Sequence, residues 1–240
     1  MGRNNYFQFK QFRVVQQHSA MKVGVDGVLI GSWADVSGAH RILDIGAGTG
    51  LIALMMAQRC PQAMIDAIDI DPEACMESQF NAEQSPWAER INVKCSSLED
   101  YVKTCDQKYD LIVSNPPYFS NGIKAPHLSR SAARHADSLP LDELMAALAI
   151  LLVKGAKSAL ILPSESLSEV KHLTDKNKLF LSRLCLVKPN PSKPAFRIMV
   201  ELTNEPSTLK EEELMIEYDQ HFDYTPEYRK LTRDFYLKFD

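Results

Sequence analysis

Long apolar runs are missing from this chain. The longest, ending at Val153, is about half of the ~20 residues needed to cross a bilayer. The first ten residues carry Asn, Gln and Tyr where a secretory signal needs an apolar stretch, so the expectation is a cytoplasmic protein with no membrane association. Cysteine is scarce: five residues, odd in number, with no C-x-x-C pair and no His/Cys spacing of a zinc site. Free thiols and no metal are expected. An excess of base is also lacking, with 27 Lys plus Arg against 31 Asp plus Glu and a net charge of −4. Taken alone, that total speaks against a nucleic-acid partner. What is present is ordinary for one globular domain: 240 residues, 45% hydrophobic and 24% charged.

Acids, however, are absent from three particular stretches. Residues 1–25 contain Arg3, Lys10, Arg13 and Lys22; residues 111–136 contain Lys124, Arg130 and Arg134; residues 188–197 contain Lys188, Lys193 and Arg197. These hold ten positive charges and leave −14 on the rest of the chain. Such segregation is a better guide to an anionic partner than the total is.

From residue 41 onward, β-branched runs alternate with amphipathic stretches. Strands are expected at 41–45, 64–70, 91–95, 109–114, 159–162, 181–187 and 196–202. Helices are expected near 51–59, 72–83, 141–153 and 166–175, the third closed by Lys154-Gly155. The pattern predicts an α/β protein with a doubly wound, mostly parallel seven-stranded sheet of the Rossmann-like kind. Residues 1–35 read as a basic and aromatic N-terminal segment, residues 36–240 as the main domain. In the tail, 214–218 is strand-like, and Thr225-Pro226 starts a helix as N-cap and first helical residue.

Glycine is sparse, ten in all, yet Gly46, Gly48 and Gly50 crowd into one turn, Asp44-Ile-Gly-Ala-Gly-Thr-Gly, between a strand and a helix. Ligands of open α/β sheets bind beyond the carboxyl ends of the strands, where such a turn admits them to the backbone. Asp69, nineteen residues after Gly50, ends the next strand and can accept both hydroxyls of a ribose. Leu51 stands where a dinucleotide fingerprint needs Gly or Ala, and no Gly-Lys-Ser/Thr of a P-loop is present. This constellation resembles the S-adenosylmethionine (SAM) site of class I methyltransferases. That resemblance implies SAM as cofactor, held by Asp44, Gly46, Gly48, Gly50 and Asp69. It places Ser97 and Leu98 at the adenine, although the family often has an acid at position 97.

The fourth strand runs into Ser114-Asn115-Pro116-Pro117-Tyr118. An exocyclic amine on a purine is a poor nucleophile because its lone pair is conjugated into the ring. Two acceptors on its two N–H bonds pull it towards tetrahedral geometry and aim the lone pair. The Asn115 side-chain oxygen and the Pro116 carbonyl are such a pair, Pro117 stiffens the turn, and Tyr118 can stack on the base. No strong general base is needed; orientation and electrostatics carry the rate. Asn-Pro-Pro-Tyr resembles the acceptor motif of the amino methyltransferases, which act on adenine N6, on the glutamine amide, or in near forms on guanine N2.

A narrower likeness runs along nearly the whole chain. Phe9-Lys-Gln-Phe12, Ala20-Met-Lys-Val-Gly-Val-Asp-Gly27, Gly31-Ser-Trp33, Ser85-Pro-Trp87, Ala133-Arg134, Phe196-Arg197 and Asp234-Phe-Tyr-Leu237 resemble the bacterial enzymes that methylate adenine N6 just 3′ of the anticodon in a valine tRNA. Val25 stands where that family is expected to have Thr. The likeness implies that the N-terminal segment packs at the acceptor site, with Lys22 and Asp26 near cofactor and acceptor. It implies tRNA phosphate contacts from Arg130, Arg134 and Arg197, acting as a monomer on an anticodon loop. Release-factor glutamine or rRNA amino methyltransferases are alternatives, disfavoured by the short N-terminus, and a non-catalytic SAM- and RNA-binding module is another.

Overall fold

Ile42 and Leu43 are neighbours on one strand, and both are fully buried in different apolar layers. Only a strand covered on both faces does this. The computed structural model, which describes residues 5–19, 22–117 and 139–239, builds the molecule around such strands.

A short antiparallel hairpin, β1 (Tyr6–Gln8) and β2 (Arg13–Val15), precedes helix α1 (Val25–Trp33). Strands and helices then alternate as β3 (Arg41–Ile45), α2 (Leu51–Arg59), β4 (Met64–Asp69), α3 (Pro72–Glu83), β5 (Ile91–Cys95), α4 (Leu98–Thr104) and β6 (Tyr109–Ser114). The second half holds α5 (Leu141–Leu151), β7 (Leu152–Pro163), α6 (Leu167–Asn177), β8 (Phe180–Lys188), β9 (Arg197–Thr203), β10 (Lys210–Met215) and α7 (Pro226–Thr232).

The main sheet has the order β10-β8-β9-β7-β6-β3-β4-β5, and every strand but β9 points the same way. The chain leaves β3 towards β4 and β5, then returns to place β6 on the other side of β3. The carboxyl ends of β3 and β6 therefore flank a topological switch point, the crevice where open sheets take ligands. Because β9 runs backwards, its first residue, Arg197, lies beside Pro163 and Val187 at this same edge.

Among the described residues the sheet has eight strands, one more than the seven expected. The addition is β10, Lys-Glu-Glu-Glu-Leu-Met, of which the strand-like stretch read at 214–218 caught only Leu214 and Met215, the charges before them hiding the rest. Edge strands tolerate such charges, and here Arg183 takes Glu212 while Lys188 takes Glu213. A second correction concerns Lys154-Gly155, which does not end a helix. The helix stops at Leu151, and β7 starts at once, with Gly155 (φ +77°) in an irregularity between the Tyr109–Leu152 and Leu111–Lys157 pairings. Asn204 braces it, accepting from the Gly155 N–H at 2.8 Å and donating to the Val153 carbonyl at 3.0 Å.

Two helices start on side-chain caps, the second of them the one expected. Asp71 accepts the Glu73 N–H at 2.9 Å ahead of α3, with Pro72 in first position. Thr225 accepts the Tyr228 N–H at 3.2 Å ahead of α7. Each cap contributes about 1 kcal/mol. The hairpin shares one core with α1, α2 and the C-terminal tail through Phe9, Phe12, Val14, Tyr228 and Phe235. Lys10 N–H donates to the Phe235 carbonyl at 2.9 Å.

Candidate active site at the switch point of the sheet

The turn after β3 is built on left-handed glycines: Gly46, Gly48 and Gly50 have φ of +74°, +55° and +79°. The N–H groups of Gly46 and Ala47 donate to the Ile68 carbonyl at 2.9 and 3.0 Å, tying the turn to the end of β4. Gly50 opens α2, and a Cβ there would stand 2.6 Å from the Ser78 hydroxyl. Asp69, the last residue of β4, accepts the Gly48 N–H through Oδ2 at 2.8 Å and the Asp71 N–H through Oδ1 at 2.9 Å. Each oxygen keeps a lone pair, so a diol can still be received. Burial raises the pKa of this carboxyl.

Asp44 lies deeper and is fully buried. Its Oδ2 accepts the Ala53 N–H from the first turn of α2 at 3.0 Å, and its Oδ1 is buried without a hydrogen-bond partner. Burial, with repulsion from Asp69 adding to it, pushes its pKa up to about 7. An orphaned carboxylate oxygen beside a glycine cradle suits a cationic, hydroxyl-bearing ligand such as SAM.

Ser97 is the N-cap of α4, accepting the Asp100 N–H at 3.1 Å and donating to Asp100 Oδ2 at 2.8 Å. Leu98 is core. An acid, Asp100, thus stands beside the Ser97 hydroxyl.

The acceptor motif meets the glycine turn directly. Ser114 pairs with Ile45 across β6 and β3, and its hydroxyl donates to the Ile45 carbonyl at 2.7 Å. Asn115 therefore begins beside Gly46. Asn115 and Pro117 are half-buried, and Pro116 is buried. Tyr118, Arg130 and Arg134 lie outside the described residues.

Asp26, in the first turn of α1, accepts from Arg197 Nε at 2.9 Å, and the Asp26 Oδ1 is buried without a partner. Arg197 also donates to the Phe196 carbonyl at 3.0 Å. Arg197, expected at a tRNA phosphate, has its guanidinium paired with a carboxylate 171 residues away. Lys22 is exposed and donates to the Gln16 carbonyl at 3.0 Å.

Sequence reading missed two residues of α3. The buried Glu77 carboxylate accepts three successive backbone N–H groups, those of Gln17, of His18 at 3.0 Å and of Ser19 at 2.9 Å. One turn on, buried Asn81 accepts the Val15 N–H at 2.8 Å and donates to the carbonyls of Val15 at 2.8 Å and Thr49 at 2.9 Å. In sequence they are polar residues of an ordinary helix. Their spacing of four was the available signal, since it puts both on one face.

Residues 28–139 match the methyltransferase small domain, a span that contains both the glycine turn and Asn115-Pro116-Pro117. Over 98% of its length the chain is 45% identical to the tRNA1(Val) (adenine(37)-N6)-methyltransferase of Trichodesmium erythraeum (strain IMS101), covering 99% of that relative. The chain belongs to the tRNA1(Val) (adenine(37)-N6)-methyltransferase family. The family member of Histophilus somni (strain 129Pt) is 40% identical over 100% of both chains. The fold extends further: the crystal structure of Atu636 from Agrobacterium tumefaciens, described as a predicted O-methyltransferase, has a TM-score of 0.70 at 19% identity, covering 88% of this chain and 96% of that one.

Proposed function

We propose that this methyltransferase transfers the methyl of SAM to the exocyclic N6 amine of adenine 37 in a valine tRNA. The observation that supports the reading best is the adjacency of Asn115-Pro116 at the end of β6 to the glycine turn at the end of β3, fixed by the Ser114–Ile45 hydrogen bond. SAM, when bound, supplies an electrophilic methyl on a sulfonium. Asp69 receives the ribose, and Gly46, Gly48 and Gly50 admit the ligand to the backbone. Asp44 provides negative charge beneath the turn. The Asn115 side-chain oxygen and the Pro116 carbonyl accept from the two N–H bonds of the adenine amine and direct its lone pair. Tyr118 stacks on the base, and Arg130 and Arg134 meet phosphates. The adenine enters unstacked, since an amine inside a stack cannot reach the pocket.

No metal enters this reading, and one chain suffices. Among the described residues no helix is long and apolar enough to cross a membrane. A tRNA substrate puts the work in the cytoplasm. Incubation with tritiated SAM tests the reading: label should enter unmodified tRNA as N6-methyladenosine. Label found only in protein glutamine, or in rRNA, would replace the substrate; SAM binding without transfer to any acceptor would make the chain a binding module.

A further inference from the structure

Residues 17–19 turn three consecutive N–H groups towards one point, and the Glu77 carboxylate occupies it. Such a concavity of backbone N–H groups is an anion site, filled here by the protein's own side chain, only 4% exposed. The segment it holds lies against the glycine turn: a Cβ on Gly48 would come 3.8 Å from the Ser19 hydroxyl. Asn81, 1% exposed, ties the preceding strand to the turn itself by bonding Val15 on both backbone groups and the Thr49 carbonyl. Gln16 closes the same segment, its Oε1 accepting the Val23 N–H at 2.8 Å two residues before α1, whose first turn holds Asp26. One helix face thus grips the floor of the cofactor turn and the chain that leads to the acceptor side.

We propose that Glu77 is a positioning residue for the cofactor, which keeps residues 17–19 seated against the Gly48 turn so that the N-terminal segment and the turn present one rigid cofactor surface. It touches neither cofactor nor reacting atoms. Its effect is exerted through Ser19 and Gly48, with Asn81 as its partner on α3. The inference rests on the reading that SAM occupies this turn, and it adds a residue 58 to 60 positions distant in sequence from the segment it holds. A glutamine in its place keeps the shape but turns an N–H2 towards one of the three N–H donors, so one bond is lost and the seat loosens.

The test measures SAM affinity by calorimetry without tRNA, on wild type and on Glu77→Gln, with the melting temperature of each. The expected result is a Kd for SAM raised about tenfold, as for loss of a charge-assisted hydrogen bond. In turnover the KM for SAM rises alike, with kcat at saturating SAM within about twofold. Glu77→Asp, which keeps the charge, should recover part of the affinity. Glu77→Gln with wild-type SAM affinity would overturn the proposal, whatever its melting temperature. An equal fall of kcat at saturating SAM would do so too, because positioning of the cofactor is then not what was lost. Should wild type itself bind no SAM, the cofactor reading fails first, so the two failures are distinct.

Discussion

Arg197 Nε donates to Asp26 Oδ2 at 2.9 Å, joining the reversed strand β9 to the first turn of α1 at the edge where the glycine turn and the acceptor motif meet. The pair is about three-quarters buried, and the other Asp26 oxygen is buried without a partner. Removing one member leaves a poorly solvated charge behind.

A double-mutant cycle should therefore show coupling. Asp26→Asn and Arg197→Met are each expected to cost roughly 1–3 kcal/mol in denaturant unfolding, and the double variant less than their sum. Strict additivity would mean that the two side chains do not stabilise one another.

The buried Asp44 makes stability depend on pH. Its native pKa is raised to about 7 from the usual 3.8, so between these values the native state keeps a proton that the unfolded chain has released. Stability from this group is full below about pH 4, declines as pH rises, and is lost above about 7, a change on the order of a few kcal/mol. A cationic cofactor favours the ionised form, so SAM affinity should rise from pH 6 to 8. Asp44→Asn should flatten both profiles; urea titrations and calorimetry at several pH values measure them.

Gly50 has a left-handed φ of +79° and no room for a methyl beside Ser78. Gly50→Ala is expected to lose about 1–3 kcal/mol of stability and to weaken SAM binding, because the cradle and the start of α2 shift together. A variant equal to wild type in both would show that the turn is not constrained in this way.

The proposed function gives Arg130 and Arg134 to tRNA phosphates. Replacing either by Ala should weaken tRNA binding and lower the slope of log affinity against log salt by about 1. An unchanged slope would place these arginines away from the RNA backbone.

Much of this was legible in the sequence because local physics dictates it. Asp44 to Gly50 reads as strand, turn and helix since the glycines supply conformations other residues avoid, and Thr225-Pro226 marks its helix by capping chemistry. What escaped was set by distant partners. Lys154-Gly155 carries a helix-stop pattern, yet Asn204 holds that glycine in a strand irregularity. The glutamates of β10 look solvated until Arg183 and Lys188 are seen beside them. The ion pair of Arg197 could not be read because Asp26 is 171 residues away. Glu77 and Asn81 share a helix face by their spacing of four, but their roles stayed hidden because their partners come from β2, from the chain after it and from the glycine turn.

The most direct test is mass-spectrometric mapping of a valine tRNA made without modifications, after incubation with SAM and either wild type or Asn115→Ala. The account predicts one N6-methyladenosine, on the adenosine just 3′ of the anticodon, with wild type. The variant should leave at most about a hundredth of that methylation while still binding SAM. An unmodified tRNA in the presence of SAM-bound wild-type protein, or a methyl on another base, would contradict it.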